Sequence, residues 1–454
     1  MGDFNAIFKA YDIRGTYPGE IDAEGCYAIG AAFARFALDE GGPVPEILVA
    51  RDMRPSGIEL AAAFSDGVRS QGVDVVDLGL ASTDLVYFAS GSRDAPGAMF
   101  TASHNPAQYN GIKFCLAGAR AVGSGTGLEQ VKELAIAGVP AVATPGSSSE
   151  LDLLNEFADH VRSFVDVSAF RPLKVVCDTA NGMGGLVVPA VFDSLPFDLE
   201  ILYPELDGTF PNHPADPIQP ENQRDLCARV REVGADVGFA FDGDADRVFV
   251  VDELGNGLSG SVTTALVAVG VLEKEPGATV LHNLICSKVV PEVVREHGGV
   301  PIRTKVGHSF IKAEMAKTGA AFGGEHSAHY YFRDNYRADS GLIAAMLVLE
   351  RLCAGTEPMS VVRRPFDRYA DSGEINTQVH DPAQVIDGIA AHFAAAHPDA
   401  GQDRLDGLTV DLGTWWFNLR PSNTEPLLRL NLEAQTRDEC DTHTSELLHL
   451  ITKG

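Results

Sequence analysis

The sequence predicts an α/β protein made of three related α/β units and a closing α+β unit with an antiparallel sheet. Three observations carry this reading. The chain has 454 residues, enough for about three domains at roughly 150 residues each, with two or four also open. One pattern occurs in three places: an apolar β-branched run, a polar loop, a helical stretch, a Gly or Pro break, and a second apolar run. Beyond residue 366 the pattern changes.

In the first copy, Ile47 to Ala50 reads as a strand, Gly57 to Gln71 as a helix and Val73 to Val76 as the next strand. The second runs from Lys174–Cys177 through the loop DTANGMGG and a helix to Phe197–Tyr203. The third has Ala278–Asn283, a helix led by Ser287 and ending near Glu296, and Val300–Thr304. Alternating elements of this length imply α/β layers. In the last unit Glu374–Val379 reads as a strand and Pro382–His397 as an Ala-rich helix. Three strands follow within Leu408–Ala434, and a final helix starts at Arg437. Breaks at 137–150, at 253–257 and at Arg363-Arg364-Pro365 place the units at 1–146, 147–255, 256–366 and 367–454.

Composition narrows the partners. The chain is 45% hydrophobic and 22% charged, with mean hydropathy +0.01 and net charge −28. That charge argues against nucleic acid and anionic membranes, and it makes the few cations beside polar motifs informative. Seven cysteines stand singly without a CxxC pair, which fits neither a disulfide framework nor a zinc cluster. The opening residues show no secretory pattern, and the longest apolar run, near 265–272, is far short of a bilayer span. A cytoplasmic protein is expected.

Four polar motifs interrupt hydrophobic sequence. Thr101-Ala102-Ser103-His104-Asn105-Pro106 follows Ala98-Met99-Phe100, so a strand delivers Ser103 to an exposed turn beside His104, with Lys113 ten residues on. The plainer reading is an ST-turn closed by Asn-Pro. Asp242-Gly243-Asp244-Ala245-Asp246-Arg247 follows a strand and sets three carboxylates at alternate positions. They repel one another unless a hard divalent cation neutralises them. An EF-hand fails here: Arg247 sits where glycine is needed, and Val248–Val251 reads as a strand. Arg247 is placed to meet a phosphate sharing that metal. Gly324-Glu325-His326-Ser327-Ala328-His329 mixes donors and acceptors suited to sugar hydroxyls, or else forms a polar loop over an aromatic core; Lys305–Ser309 is a second wall. Arg420-Pro421-Ser422-Asn423-Thr424-Glu425-Pro426, between two strands, makes a phosphate nest.

Together with the opening Phe8-Lys9-Ala10-Tyr11-Asp12-Ile13-Arg14-Gly15, these motifs resemble the α-D-phosphohexomutase superfamily in its phosphomannomutase/phosphoglucomutase branch, over essentially the whole chain. The resemblance implies mixed sheets in the first three units, arranged with the fourth around a central cleft. It also implies a phosphoryl carrier at Ser103 and Mg²⁺ held by Ser103, Asp242, Asp244 and Asp246. Arg247 would steady the phosphoryl group, with Arg14, Lys113 and His308 close by and His104 supporting the serine loop. Tyr11, Glu325 and Ser327 would contact the sugar phosphate, and Arg420, Ser422, Asn423 and Thr424 would clamp the distal phosphate. Lys113, His308 and His329 are the candidates for the general base.

The implied reaction interconverts hexose 1-phosphate and hexose 6-phosphate through a hexose 1,6-bisphosphate, which also primes the enzyme. The partners would be small sugar phosphates, and the chain a monomer or weak homo-oligomer. His326, where relatives commonly show Met, Glu or Gln, Ala328, where Gly is frequent, and Ile285, where some bifunctional relatives carry Lys, leave mannose against glucose open. The competing readings are a metal-dependent sugar phosphatase and a calcium-binding or scaffold protein.

Overall fold

Each of the first three units repeats one strand order. A central strand is flanked on one side by a parallel strand reached through a helix. On its other side lies a second parallel strand, which turns back into an antiparallel hairpin partner. In the first unit these are Glu46–Arg51, Asp74–Leu80, Gly97–Phe100 and Tyr109–Leu116. In the second they are Leu173–Asp178, Phe197–Leu202, Val237–Phe241 and Val248–Asp252. In the third they are Thr279–Asn283, Val300–Thr304, Phe322–Gly324 and Tyr330–Phe332. All three sheets are therefore mixed, as expected. The computed structural model describes residues 3–41, 44–421 and 427–453.

The hairpin strands read as unbroken apolar runs because both faces are covered: Val237–Phe241 and Val248–Asp252 are buried at every position. The first sheet also carries Ile13–Thr16, Arg120–Val122 and Ser148–Glu150. Ser148–Glu150 pairs with Asp74–Leu80, so this sheet reaches past the break expected at 146. A fully exposed Ser-Ser-Glu edge leaves no apolar alternation to read.

The fourth unit is a five-stranded antiparallel sheet in the order Ala370–Gln378, Leu427–Ala434, Trp415–Pro421, Leu408–Asp411, Gly401–Asp403, with helices Pro382–Ala396 and Arg437–Lys453. Gly401–Asp403, a polar three-residue edge, is the one strand here that the sequence did not announce.

One apolar core runs through the first three units, from Leu48 and Met99 through Val175 and Phe239 to Tyr330 and Leu349. A second core lies on the outer side of the first sheet. The fourth unit has its own, drawn only from residues between Val385 and Ile451. No helix among the described residues is long and apolar enough to cross a membrane.

Candidate active site

The repeat explains where the motifs lie. Residues 101–108, 242–247 and 325–329 each connect the third and fourth strands of their unit, so the three loops are structural equivalents that meet at one place. Ser103 Oγ donates to Asp242 Oδ2 at 2.7 Å, and Arg247 forms an isolated antiparallel bridge with His329. Each loop also holds one non-glycine residue in the left-handed region: Ser103 (φ 49°), Ala245 (φ 60°) and Ala328 (φ 64°). Such residues cost of order 1–2 kcal/mol and persist where the surroundings over-determine them. Glycine is obligatory at Gly243, where a Cβ would lie 2.4 Å from the Ser103 carbonyl oxygen.

Ser103 is only 4% exposed. The exposed turn expected from the sequence is thus a buried one, covered by the second unit's loop. Its position is set by Arg54, a fully buried guanidinium. Arg54 donates to the carbonyls of Ser103 (2.9 Å), Asn105 (2.6 Å), Pro106 (2.7 Å) and Tyr109 (2.9 Å), and pairs with Asp52 at 3.1 Å. Arg14 reaches the same loop through Ala102 O at 3.2 Å and the Asn105 side chain, while pairing with Asp12. His104 Nδ1 lies 3.3 Å from Ser103 Oγ. Burial and the charges of Arg247 and Arg14 hold its ring neutral, well below the usual histidine range.

Asp242, Asp244 and Asp246 are all buried, with one oxygen of each inside a 4.8 Å cluster. Two cations face them. Lys113 Nζ lies 2.8 Å from Asp244 and 2.6 Å from Asp246, and Arg247 is 2.8 Å from Asp242. Thr83 Oγ1 donates to Asp244 at 2.6 Å. The repulsion read from the sequence is therefore met partly by protein cations. Three carboxylates against two cations still leave an excess negative charge, and Oδ1 of Asp244 and of Asp246 are buried with no hydrogen-bond donor among the described residues. Burial pushes the Asp242 carboxyl up to about 7, although Arg247 opposes it. A buried, all-oxygen cluster with excess negative charge and two oxygens left without donors among the described residues is what a hard divalent cation requires, so these residues fit Mg²⁺.

The three base candidates fall in different environments. Against the cost of burial, Asp244 and Asp246 lock Lys113 as an ammonium, well above the usual lysine range, so here it acts as a charge. His308 begins the helix His308–Thr318 and meets the Tyr11 ring edge-on, centroids 5.4 Å apart. Burial and nearby Lys312 keep it neutral. His329 Nδ1 is 2.9 Å from Asp339 Oδ2 and 3.8 Å from Asp246 Oδ1. Burial disfavours its charged form, but the two carboxylates raise its pKa on balance. With Nδ1–H donated to Asp339, Nε2 is free to accept a proton.

Of the sugar-facing residues, Tyr11 is half-buried and donates to Val306 O at 3.1 Å, tying the first unit to the third. Glu325 is buried and accepts from Tyr331 Oη (2.6 Å), Asn283 Nδ2 (3.0 Å) and Gly307 N (3.2 Å). About one of its roughly four acceptor positions remains for a ligand. Ser327 is half-buried in the same loop. Arg420 Nη2 pairs with Glu374 at 2.7 Å, and its Nε is buried without a hydrogen-bond partner among the described residues. Its charge is felt by Tyr11 and His326. Ser422, Asn423 and Thr424 lie outside the described residues.

Sequence reading missed Arg54, Thr83 and Asp339. Asp52 and Arg54 follow the strand Glu46–Arg51 as the motifs follow theirs, and this was a usable signal. Thr83 and Asp339 looked like ordinary residues next to helix caps, since Ser82 and Ser340 cap the following helices.

Comparison with known proteins places these features. Models described as phosphoglucomutase/phosphomannomutase α/β/α domains I, II and III match residues 5–133, 155–255 and 259–369, and the C-terminal domain model matches 374–448. The chain is 39% identical over 451 residues to the phosphohexose mutases of Xanthomonas campestris pv. campestris, covering 98% of each. It is also 39% identical over 438 residues to a phosphomannomutase of Salmonella typhimurium, covering 94% of each. A crystal structure of a phosphoglucomutase/phosphomannomutase family protein from Burkholderia thailandensis superposes with TM-score 0.90 at 33% identity, over 100% of this chain and 99% of that one.

Proposed function

The chain belongs to the phosphoglucomutase/phosphomannomutase family and is a phosphohexomutase, and from this premise we propose that it interconverts mannose 1-phosphate and mannose 6-phosphate, and the glucose pair as well. The observation that carries the mechanism is Ser103 Oγ, 2.7 Å from Asp242 and 3.4 Å from Arg247 Nη2. A hydroxyl so placed, on a loop clamped through four backbone carbonyls, is a fixed phosphoryl carrier.

Asp242, Asp244 and Asp246 with Ser103 would hold Mg²⁺, which when bound supplies electrostatic stabilisation of the transferring phosphoryl group. Arg247 and Lys113 add fixed positive charge beside the same oxygens, and Arg14 and His104 keep the serine loop in place. His329 takes the proton from the attacking sugar hydroxyl at Nε2 and returns it to the hydroxyl formed in the second half-reaction. Glu325 and Ser327 read sugar hydroxyls and Tyr11 closes the sugar site. Arg420, with Ser422, Asn423 and Thr424, grips the phosphate that is not reacting. Hexose 1,6-bisphosphate forms by transfer from phosphorylated Ser103, turns around, and returns its other phosphate; supplied from outside, it primes the enzyme.

Activity toward mannose 1-phosphate, glucose 1-phosphate and glucosamine 1-phosphate, with Mg²⁺ and glucose 1,6-bisphosphate, tests this. Mannose and glucose are expected to turn over, because the two differ only at C2 and a loop reading other hydroxyls discriminates weakly. Ser103→Ala should abolish turnover and the phosphorylated species in the intact mass. A strong preference for glucosamine 1-phosphate, or release of inorganic phosphate without need of the bisphosphate, would overturn the proposal.

A further inference from the structure

Behind His329 the polar contacts continue away from the reacting atoms. Asp339 Oδ2 accepts from His329 Nδ1 at 2.9 Å, and Asp339 Oδ1 forms an ion pair with Lys312 Nζ at 3.0 Å. Lys312 Nζ also lies 3.7 Å from the centroid of the Tyr87 ring. Lys312, Asp339 and Tyr87 are each at most 5% exposed. They come from three separate elements: the helix His308–Thr318, the residue pair leading into the helix Gly341–Cys353, and the first unit's helix Thr83–Arg93.

A buried ammonium is expensive, and a methionine of similar length would fill the same space without desolvation cost. The lysine is therefore informative. Without it, Asp339 would face His329 without its paired ammonium, in a region that already holds Asp246 and Asp84, both buried. It would then protonate or turn away, and either change removes the acceptor that fixes the imidazole. The cation also sits against an aromatic face of the first unit, so its position is set by contacts on both sides. Asp246, His329 and Asp339 could on distance alone form a second metal group. The ammonium on the outer oxygen of Asp339 instead makes this carboxylate an orienting group for the imidazole.

We propose that Lys312 is a positioning residue for phosphoryl transfer: through Asp339 it holds the His329 ring with Nε2 directed at the substrate hydroxyl. This rests on His329 being the general base.

The test compares K312M, K312R, D339N, H329A and the double variant K312M/H329A, each as the full chain with Mg²⁺, glucose 1,6-bisphosphate and glucose 1-phosphate. K312M should lower kcat about 10–100-fold, as loss of an outer-shell partner typically does, with KM within about twofold of the parent. D339N, nearly isosteric, should fall by a similar factor. K312R should recover most of the loss, since a cavity of about 360 Å³ beside Lys312 gives room for a guanidinium. In the H329A background K312M should cost nothing further, because residues acting as one unit are non-additive. Full kcat in folded K312M or D339N, or a K312M loss that multiplies with that of H329A, would overturn the relay while leaving the base in place. Full kcat in H329A would overturn the base reading itself, and the relay with it. An equal loss in K312R and K312M, matched by a fall in melting temperature, would reduce Lys312 to a packing role.

Discussion

The first three units and the fourth are held in place by different forces. A single apolar core passes through the first three, so Leu48, Val176 and Phe322 belong to one cluster. The fourth has a core of its own. It meets the third unit largely through polar contacts: Lys288 Nζ to Asp411 at 2.7 Å, Lys288 N to Glu433 at 3.0 Å, Val306 N to Asp406 at 3.3 Å, and Arg303 to Asp403. Apolar burial is lost over any gap wide enough for water, whereas exposed ion pairs are worth about 0–1 kcal/mol each and exchange readily with solvent. Ser103, the acidic cluster and His329 thus stand on the part that cannot shift without breaking a core. Arg420 stands on the unit with a core of its own. This division suits the proposed mechanism, in which a bisphosphate is released at one end and re-gripped at the other with the chemistry kept in register.

Removing the clamp on the Ser103 loop should have the largest effect. Arg54→Met leaves Asp52 as an unpaired buried charge and frees four carbonyls. A loss of about 3–5 kcal/mol is expected from breaking such a buried pair, seen as a lower melting temperature together with near-complete loss of kcat. Unchanged thermal stability would mean the serine loop is held by other contacts.

In the fourth unit the effect should be smaller and of another kind. Arg420→Ala removes the charged contact proposed to the distal phosphate, worth about 1.5–3 kcal/mol, so KM for both sugars should rise roughly 10–100-fold. More bisphosphate intermediate should escape into solution, while Ser103 can still be phosphorylated and the melting temperature barely changes. Retention of the intermediate at parental levels would show that the grip lies elsewhere.

The smallest effect is expected within the first three units, at a pair outside the acidic cluster. His213 Nε2 lies 3.1 Å from Asp178 Oδ2 in the second unit. Burial lowers the pKa of His213, but the Asp178 hydrogen bond and charge prevail and raise it above 6.5. A histidine raised on folding contributes stability fully below its unfolded pKa and loses it as pH rises through the folded value. His213→Gln should therefore lower the melting temperature by about 2 °C at pH 5.5 and by less at pH 8.5. A larger deficit at the alkaline end would contradict the pairing.

Much of the site was legible because its chemistry is local in the chain. Three carboxylates at alternate positions of one loop, or a serine delivered by a four-residue apolar strand, need no distant residue to be noticed. The place of Arg54 after a strand was visible in the sequence, but its partners were not. The carbonyls it holds begin 49 residues further on, and nothing in the strand that precedes it says that the Ser103 loop folds back over that strand's end. The same holds for Asp244, whose hydroxyl donor, Thr83, lies 161 positions away.

By itself, then, the sequence determined the three-fold repeat, the separate architecture of the last unit, the four motif loops and the family to which they belong. Each of these is written in spacing and residue type over a few adjacent positions. Only the tertiary structure decided that the three motif loops are the same hairpin of each repeat, that Ser103 is buried, that Lys113 is a fixed cation, and that His329 has a carboxylate behind it. These follow from contacts between groups far apart in the chain. A titrating or reacting group is governed by the charges and dielectric within a few ångströms of it, and the chain order does not record which those are.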